Sequence, residues 1–158
     1  MKQFIPIVFI ILVLFNACTI PIGIFEKNIA IPNQKWSTGF TPIINFEVTT
    51  DTISSYRIYV VIRHTDAYRY KNIWLAVSIQ PPGDSAYVNR RTLTLATDER
   101  GWLGKGMDDI FEHRILLDAN PVKFSKPGKY TFTLQQIMRE DPLANIMNAG
   151  IRLEKVVD

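Results

Sequence analysis

The sequence predicts an all-β protein: a single β-sandwich, jelly-roll or immunoglobulin-like, behind a signal peptide and a short tether. Three observations carry this. Apolar residues recur at every second position in six segments, the period of a half-buried strand. Clusters bearing Pro and Gly separate these segments, most clearly Pro81-Pro82-Gly83-Asp84 and Lys126-Pro127-Gly128, and such clusters make turns. No segment carries a convincing 3.6-residue apolar period, so the βαβ alternation of a parallel sheet is not expected.

The elements follow in chain order. "IINFEV" sets Ile44, Phe46 and Val48 on one face. "YRIYVVIR" sets Tyr56, Ile58, Val60 and Ile62 on one face and Arg57, Tyr59, Val61 and Arg63 on the other. "IWLAVSI" groups Ile73, Leu75, Val77 and Ile79, and "RRTLTLAT" alternates through Leu93 and Leu95. "HRILLDANPVKF" holds one or two short strands. "KYTFTLQQ" alternates through Tyr130, Phe132 and Leu134, and "AGIRLEKV" through Ile151 and Leu153. Only two places, Met107–Glu112 and Ile137–Met147, suggest a helical turn. The chain has 158 residues, enough for one domain with a sizeable core and no more.

The N-terminus has the layout of a secretory signal. Lys2 precedes an apolar run from Phe4 to Phe15, and Asn16-Ala17-Cys18 follows. As a helix that run reaches roughly 18 Å, short of a hydrocarbon core of about 30 Å. The signal and cysteine resemble a bacterial lipobox, in which the thiol is lipidated and the cysteine becomes the mature N-terminus. Ala17 fits that pattern, while Phe15 stands where leucine is usual. The alternative is an uncleaved anchor, because Ile20, Ile22, Ile24 and Phe25 continue the apolar run, but Asn16, Pro21 and Gly23 interrupt it. The division is therefore 1–17 signal peptide, 18–41 lipidated Cys18 and tether, and 42–158 sandwich.

Cys18 is the only cysteine, which excludes an intramolecular disulfide and a cysteine zinc site. With the signal removed, 17 basic residues face 15 acidic ones, scattered along the chain. Nothing there marks a nucleic-acid surface.

Four segments then resemble a known family: "YRIYVVIRHTDAYRYKNIWLAVS", "GWLGKGMDDI", "GKYTFTLQQIMREDPLANI" and "GIRLEK", in this order. They are similar to the GldH family of gliding-motility lipoproteins of the Bacteroidota, and Trp36 and Phe46–Thr52 fit as well. The resemblance covers nearly the whole mature chain. It implies an envelope lipoprotein associated, in gliding species, with the motility and type IX secretion apparatus. It implies no enzymatic activity and no cofactor. By the same resemblance, the uncharged stretch Thr19–Phe25 after the cysteine favours the outer membrane with the protein facing the periplasm.

"GWLGKGMDDIFEHR" invites two sharper readings. A phosphate loop needs its first glycine five positions before the glycine of the Gly-Lys pair and Ser/Thr after the lysine. Here Gly101 lies too close and Gly106 follows Lys105. Asp108, Asp109, Glu112 and His113 are of metal-ligand type, and His64 is the only other histidine. The spacing suits neither zinc nor calcium, so no metal is expected and the stretch reads as an acidic docking loop. No nucleophile motif is present. Tyr68, Tyr70 and Asn72, with Arg63 and His64, mix aromatic and polar groups as a glycan or peptide platform would. Trp74 and Trp102 are expected as structural anchors, and Arg139 as a structural ion pair with Asp141.

The sequence thus points to a non-enzymatic lipoprotein, held on a membrane by its N-terminal lipid. Its partners would be other envelope proteins. The alternative is a lipid-anchored module for envelope glycan or peptide.

Overall fold

The computed structural model describes residues 24–156. The signal peptide and Cys18 lie outside the described residues.

Two antiparallel sheets pack face to face. In the larger, β1 (Ile24–Ala30), β14 (Ile146–Lys155), β4 (Ser55–Thr65), β10 (Ile110–Leu116) and β9 (Lys105–Met107) lie in that order. The short β11 (Val122–Lys123) also pairs with β4, making six strands. The smaller sheet runs β3 (Ile43–Val48), β12 (Gly128–Gln136), β5 (Asn72–Gln80), β6 (Tyr87–Thr94). Two ribbons close one end: β2 (Lys35–Trp36) with β13 (Leu143–Ala144), and β7 (Ala96–Thr97) with β8 (Gly101–Trp102).

Alternation places the core. Tyr56, Ile58, Val60 and Ile62 of β4 face Ile73, Leu75, Val77 and Ile79 of β5 and Tyr130, Phe132 and Leu134 of β12 in one buried cluster. Each such side chain contributes roughly 1.5–3 kcal/mol when removed from water. Aromatic rings fill one end: Phe25, Phe46, Tyr56, Phe124 and Tyr130 pack with centroids 4.8–5.9 Å apart. Trp36, fully buried, fills the other and donates its indole N–H to the Phe40 carbonyl at 2.8 Å.

Three expectations change. Residues 24–36, expected within the tether, are part of the fold. β1 pairs with β14 over seven residues, and the Phe25 ring packs tilted against Phe46 with centroids 5.1 Å apart. The turn at Met107–Glu112 is a hairpin between β9 and β10, and Ile137–Met147 leads into β13 and β14 without a helix. In both, pairing to a neighbouring strand satisfies backbone groups that a lone helical turn would leave open.

Candidate functional site

On β5 the odd residues point inward, so Asn72, Trp74, Ala76, Ser78 and Gln80 face outward. Register sets Thr92 beside Trp74, Val88 beside Ser78, and Thr133 and Ile43 in the same row. Ile43, Trp74, Val88 and Ile137 remain exposed on this face, Trp74 at 46%.

At one end of the face lies a hollow of about 490 Å³, lined by Tyr70, Asn72, Trp74, Ile137, Met138, Arg139 and Glu140. Its shape is held from beneath by Gln136, a polar side chain at a core position of β12. The Gln136 amide donates to the Trp36 and Glu140 carbonyls, and its oxygen accepts from the Met138 backbone N–H at 2.8 Å. Met138 thereby reaches Trp74, whose backbone N–H donates to the thioether at 3.3 Å. Tyr70 donates its hydroxyl to Glu140; that bond, more than burial, holds the phenol above its usual range. Asn72 donates to Thr92 at 3.2 Å. The hollow is an apolar floor of Trp74, Ile137 and Met138 with an amide, a carboxylate and a guanidinium at its rim.

Four sequence candidates therefore meet here, in roles partly different from those expected. Tyr70 and Asn72 line the hollow. Trp74 is no core anchor, because its neighbours Ile73 and Leu75 take the inward positions. Arg139 has no ion pair among the described residues: Asp141 instead accepts from the Thr38 backbone at 2.9 Å and hydroxyl at 2.6 Å. Tyr68 lies apart. It is 4% exposed and donates to the Asn72 carbonyl at 2.9 Å, and burial pushes its phenol well above the usual range. Glu140, Ile137 and Gln136 were not singled out from sequence. A glutamine on the inward parity of an apolar strand was the available signal for the last.

The acidic loop separates likewise. Asp108 and Asp109 form the exposed turn between β9 and β10, where Asp108 takes a φ of 55°, a conformation Asp tolerates better than most residues. The Asp109 carbonyl accepts from the Asp66 N–H at 2.7 Å. Glu112 is not part of the docking loop. It bonds Arg63 at 2.5 Å and Arg114 at 2.9 Å on the outer face of the larger sheet. That face is laced with ion pairs. Arg114 reaches Glu26 at 3.2 Å, and Arg152 bonds Glu26 at 2.7 Å and Glu154 at 2.6 Å. Burial opposes ionisation of Glu26, but bonds from Arg152, Asn28 and Arg114 outweigh it and hold the carboxyl below its usual value.

The two histidines do converge, on the inner side of that sheet. Their Nε2 atoms are 2.9 Å apart with rings 18° from parallel, an in-line N–H···N bond between buried side chains. His64 donates Nδ1–H to the Thr65 carbonyl at 2.7 Å, so its Nε2 accepts and His113 donates. Burial first, then the mutual charge, pushes His113 down to about 4; burial also lowers His64. Trp102 packs on His64 at 4.4 Å and on Phe111 at 5.8 Å. Gly104 abuts the pair, since a Cβ there would lie 2.8 Å from His113 Nε2 and 2.6 Å from the Glu112 carbonyl oxygen. No group of three or more His, Cys, Asp or Glu is placed to hold a metal ion among the described residues.

Comparison with known proteins decides the family. A family model described as GldH lipoprotein matches residues 23–153. The chain belongs to the GldH lipoprotein family. It is 31% identical over 121 residues to the "Gliding motility lipoprotein GldH homolog" of Christiangramia forsetii, covering 72% of this chain and 74% of that one. It is 26% identical over 121 residues to "Gliding motility lipoprotein GldH" of Flavobacterium johnsoniae, with the same coverage. Among solved structures, the insecticidal delta-endotoxin Cry8Ea1 of Bacillus thuringiensis aligns with 84% of this chain and 20% of its own, at TM-score 0.40 and 14% identity. Dimeric latent PorU of Porphyromonas gingivalis aligns with 85% of this chain and 13% of its own, at TM-score 0.38 and 12% identity. Scores this low carry no inference for this GldH-family chain.

Proposed function

We propose that this protein, lipidated at Cys18, is a non-enzymatic docking component of a gliding-motility and type IX secretion-associated envelope assembly. It is held on the outer membrane and faces the periplasm. The names of its relatives support the assignment to gliding motility. The observation that carries the docking role is the Trp74 hollow on a sheet face whose rows from Trp74 to Gln80 hold Arg90 as their one charged residue. Exposed apolar groups of this kind, ringed by a few polar ones, mark protein-binding surfaces, and a lipid anchor raises the effective concentration of the face for other anchored proteins. A glycan platform would present coplanar exposed aromatics. Here Trp74 has no stacked aromatic partner among the described residues and the floor around it is Ile137 and Met138, which favours a peptide surface of another envelope protein.

The test is photo-crosslinking in living cells, with the crosslinker at Ile137 or Val88 on this face and at Tyr59 on the ion-paired face. The expected result is a discrete adduct from Ile137 and Val88 that Trp74→Ser abolishes, with none from Tyr59. Adducts from Tyr59 alone, or adducts indifferent to Trp74→Ser, would sink the reading.

A further inference from the structure

Two exposed apolar tips mark the two ends of the sandwich. Ile53 is 81% exposed and Met107 is 74% exposed. Ile53 is held out by a built turn. Asp51 accepts from the Ser54 backbone N–H at 3.1 Å, the Tyr56 hydroxyl at 3.2 Å and the Lys155 ammonium at 2.6 Å, which fixes the loop between β3 and β4. These bonds, Lys155 foremost, hold the Asp51 carboxyl far below its usual range.

The first described strand starts at that same end. Ile24 pairs with Glu154, Glu154 with Arg57, and Lys155 with Tyr56, while Lys123 lies opposite Ser55. Between Cys18 and Ile24 there are six peptide links, which span at most about 21 Å. β4 alone has 11 residues and runs about 36 Å from this end to the other. A lipid on Cys18 therefore keeps the Ile24 end against the membrane, and the chain is too short to bring the Met107 tip there with the domain upright. Lys123 and Arg57 stand exposed at the Ile53 end without an ion pair among the described residues, and Lys129 lies opposite exposed Glu47 there; Met107 is flanked by exposed Asp66, Asp108 and Asp109, with exposed Lys105 two residues before it. Lys123 and Arg57 can meet anionic headgroups beside Ile53.

We propose that the end of the sandwich bearing Ile24, Ile53 and Lys123 rests on the phospholipid surface, with Ile53 inserted among the headgroups. This rests on lipidation of Cys18. It makes the anchored protein an oriented object. The Trp74 hollow and the Asp108–Asp109 turn then point away from the bilayer, because Asn72 and Thr65 end their strands opposite Gln80 and Ser55.

The experiment uses the lipidated protein in vesicles of phosphatidylethanolamine with a minority of phosphatidylglycerol. Cys18 is the only native cysteine, and its thiol is consumed by lipid. Ile53→Cys, Val88→Cys and Met107→Cys therefore each accept one environment-sensitive fluorophore at an exposed position that tolerates change. The expected result is blue-shifted emission at 53 and quenching by doxyl-lipid several-fold stronger there than at 88 or 107. Equal quenching at all three, or stronger quenching at 107, overturns the proposal. Stronger quenching at 88 lays the four-stranded face on the membrane and overturns the docking reading with it. Mass analysis of the N-terminal peptide separates the causes. An unacylated peptide removes the anchor and both readings. Acylated, membrane-bound protein with a water-exposed residue 53 removes only this one.

Discussion

The outer faces of the two sheets can be compared row by row. On the six-stranded sheet each outward row contains charge: Ile24–Glu154–Arg57, Glu26–Arg152–Tyr59–Leu116, Asn28–Gly150–Val61–Arg114, and Ala30–Asn148–Arg63–Glu112–Lys105. On the four-stranded sheet the rows from Trp74 to Gln80 hold Thr, Ser, Gln, Asn, Ala, Ile and Val, with Arg90 the one charged residue. The first face is closed on itself. Gly150 has no side chain, so Asn28 and the arm of Arg114, which crosses to Glu26, cover Val61 down to 1% exposure. Over Glu26, Glu112, Arg63, Arg114, Arg152 and Glu154 a partner would have to strip water from charges that already have partners, which costs more than it returns. The second face keeps neutral groups and an apolar hollow available, and those can be covered cheaply.

The most direct way to break this contrast is Gly150→Val. A Cβ there would stand 1.9 Å from Asn28 Oδ1 and 2.5 Å from the Lys27 carbonyl oxygen. Because one of those atoms is backbone, β1 must move off β14. The expected loss is about 3 kcal/mol or more, read as a fall in denaturant midpoint. Unchanged stability would mean that β1 is not tightly docked.

Acidification is next. An unfolded histidine titrates near 6.5 and folded His113 near 4, so below about pH 6.5 the unfolded chain takes up a proton the folded one refuses. Stability is full above that pH and declines as pH falls toward 4. Between pH 7 and 5 the loss from His113 is about 2 kcal/mol. His113→Gln, which can still donate to His64, should flatten that decline; an unchanged slope would refute the assignment.

Glu26→Gln tests the ion-pair lattice itself. Arg152 retains Glu154 and Arg114 retains Glu112, so the cost is about 1 kcal/mol. It should shrink as pH drops below the usual carboxylate range, because a carboxyl held low stabilises the fold only while ionised. Trp74→Ala should cost least, under about 0.5 kcal/mol for a half-exposed side chain, yet abolish docking. A large stability loss with docking intact would reverse the roles assigned to the two faces.

Much of this was legible in the sequence, and the misses have physical causes. Alternation in "YRIYVVIR" and "KYTFTLQQ" fixed which residues face inward, and the fold follows it. The same parity places Trp74 outward, since it sits between Ile73 and Leu75, but the size of an indole argues for the core on composition alone. β1 was masked because "IFEKNIA" alternates poorly: an edge strand needs only one apolar face, and here Glu26 serves the lattice on the other. Arg139 and Asp141 are near in sequence yet separate, because Asp141 is taken by Thr38, 103 residues away.

Local pattern by itself determined the all-β class, the strand faces and the family, because period-two burial and the ordered motifs are properties of neighbouring residues. The tertiary structure decided which of three tryptophans is exposed, which carboxylates are spent on ion pairs, and that two histidines 49 residues apart share a proton. Those outcomes depend on register between distant strands. A shift of one residue would turn every side chain to the opposite face, and nothing within one strand records its neighbour's register.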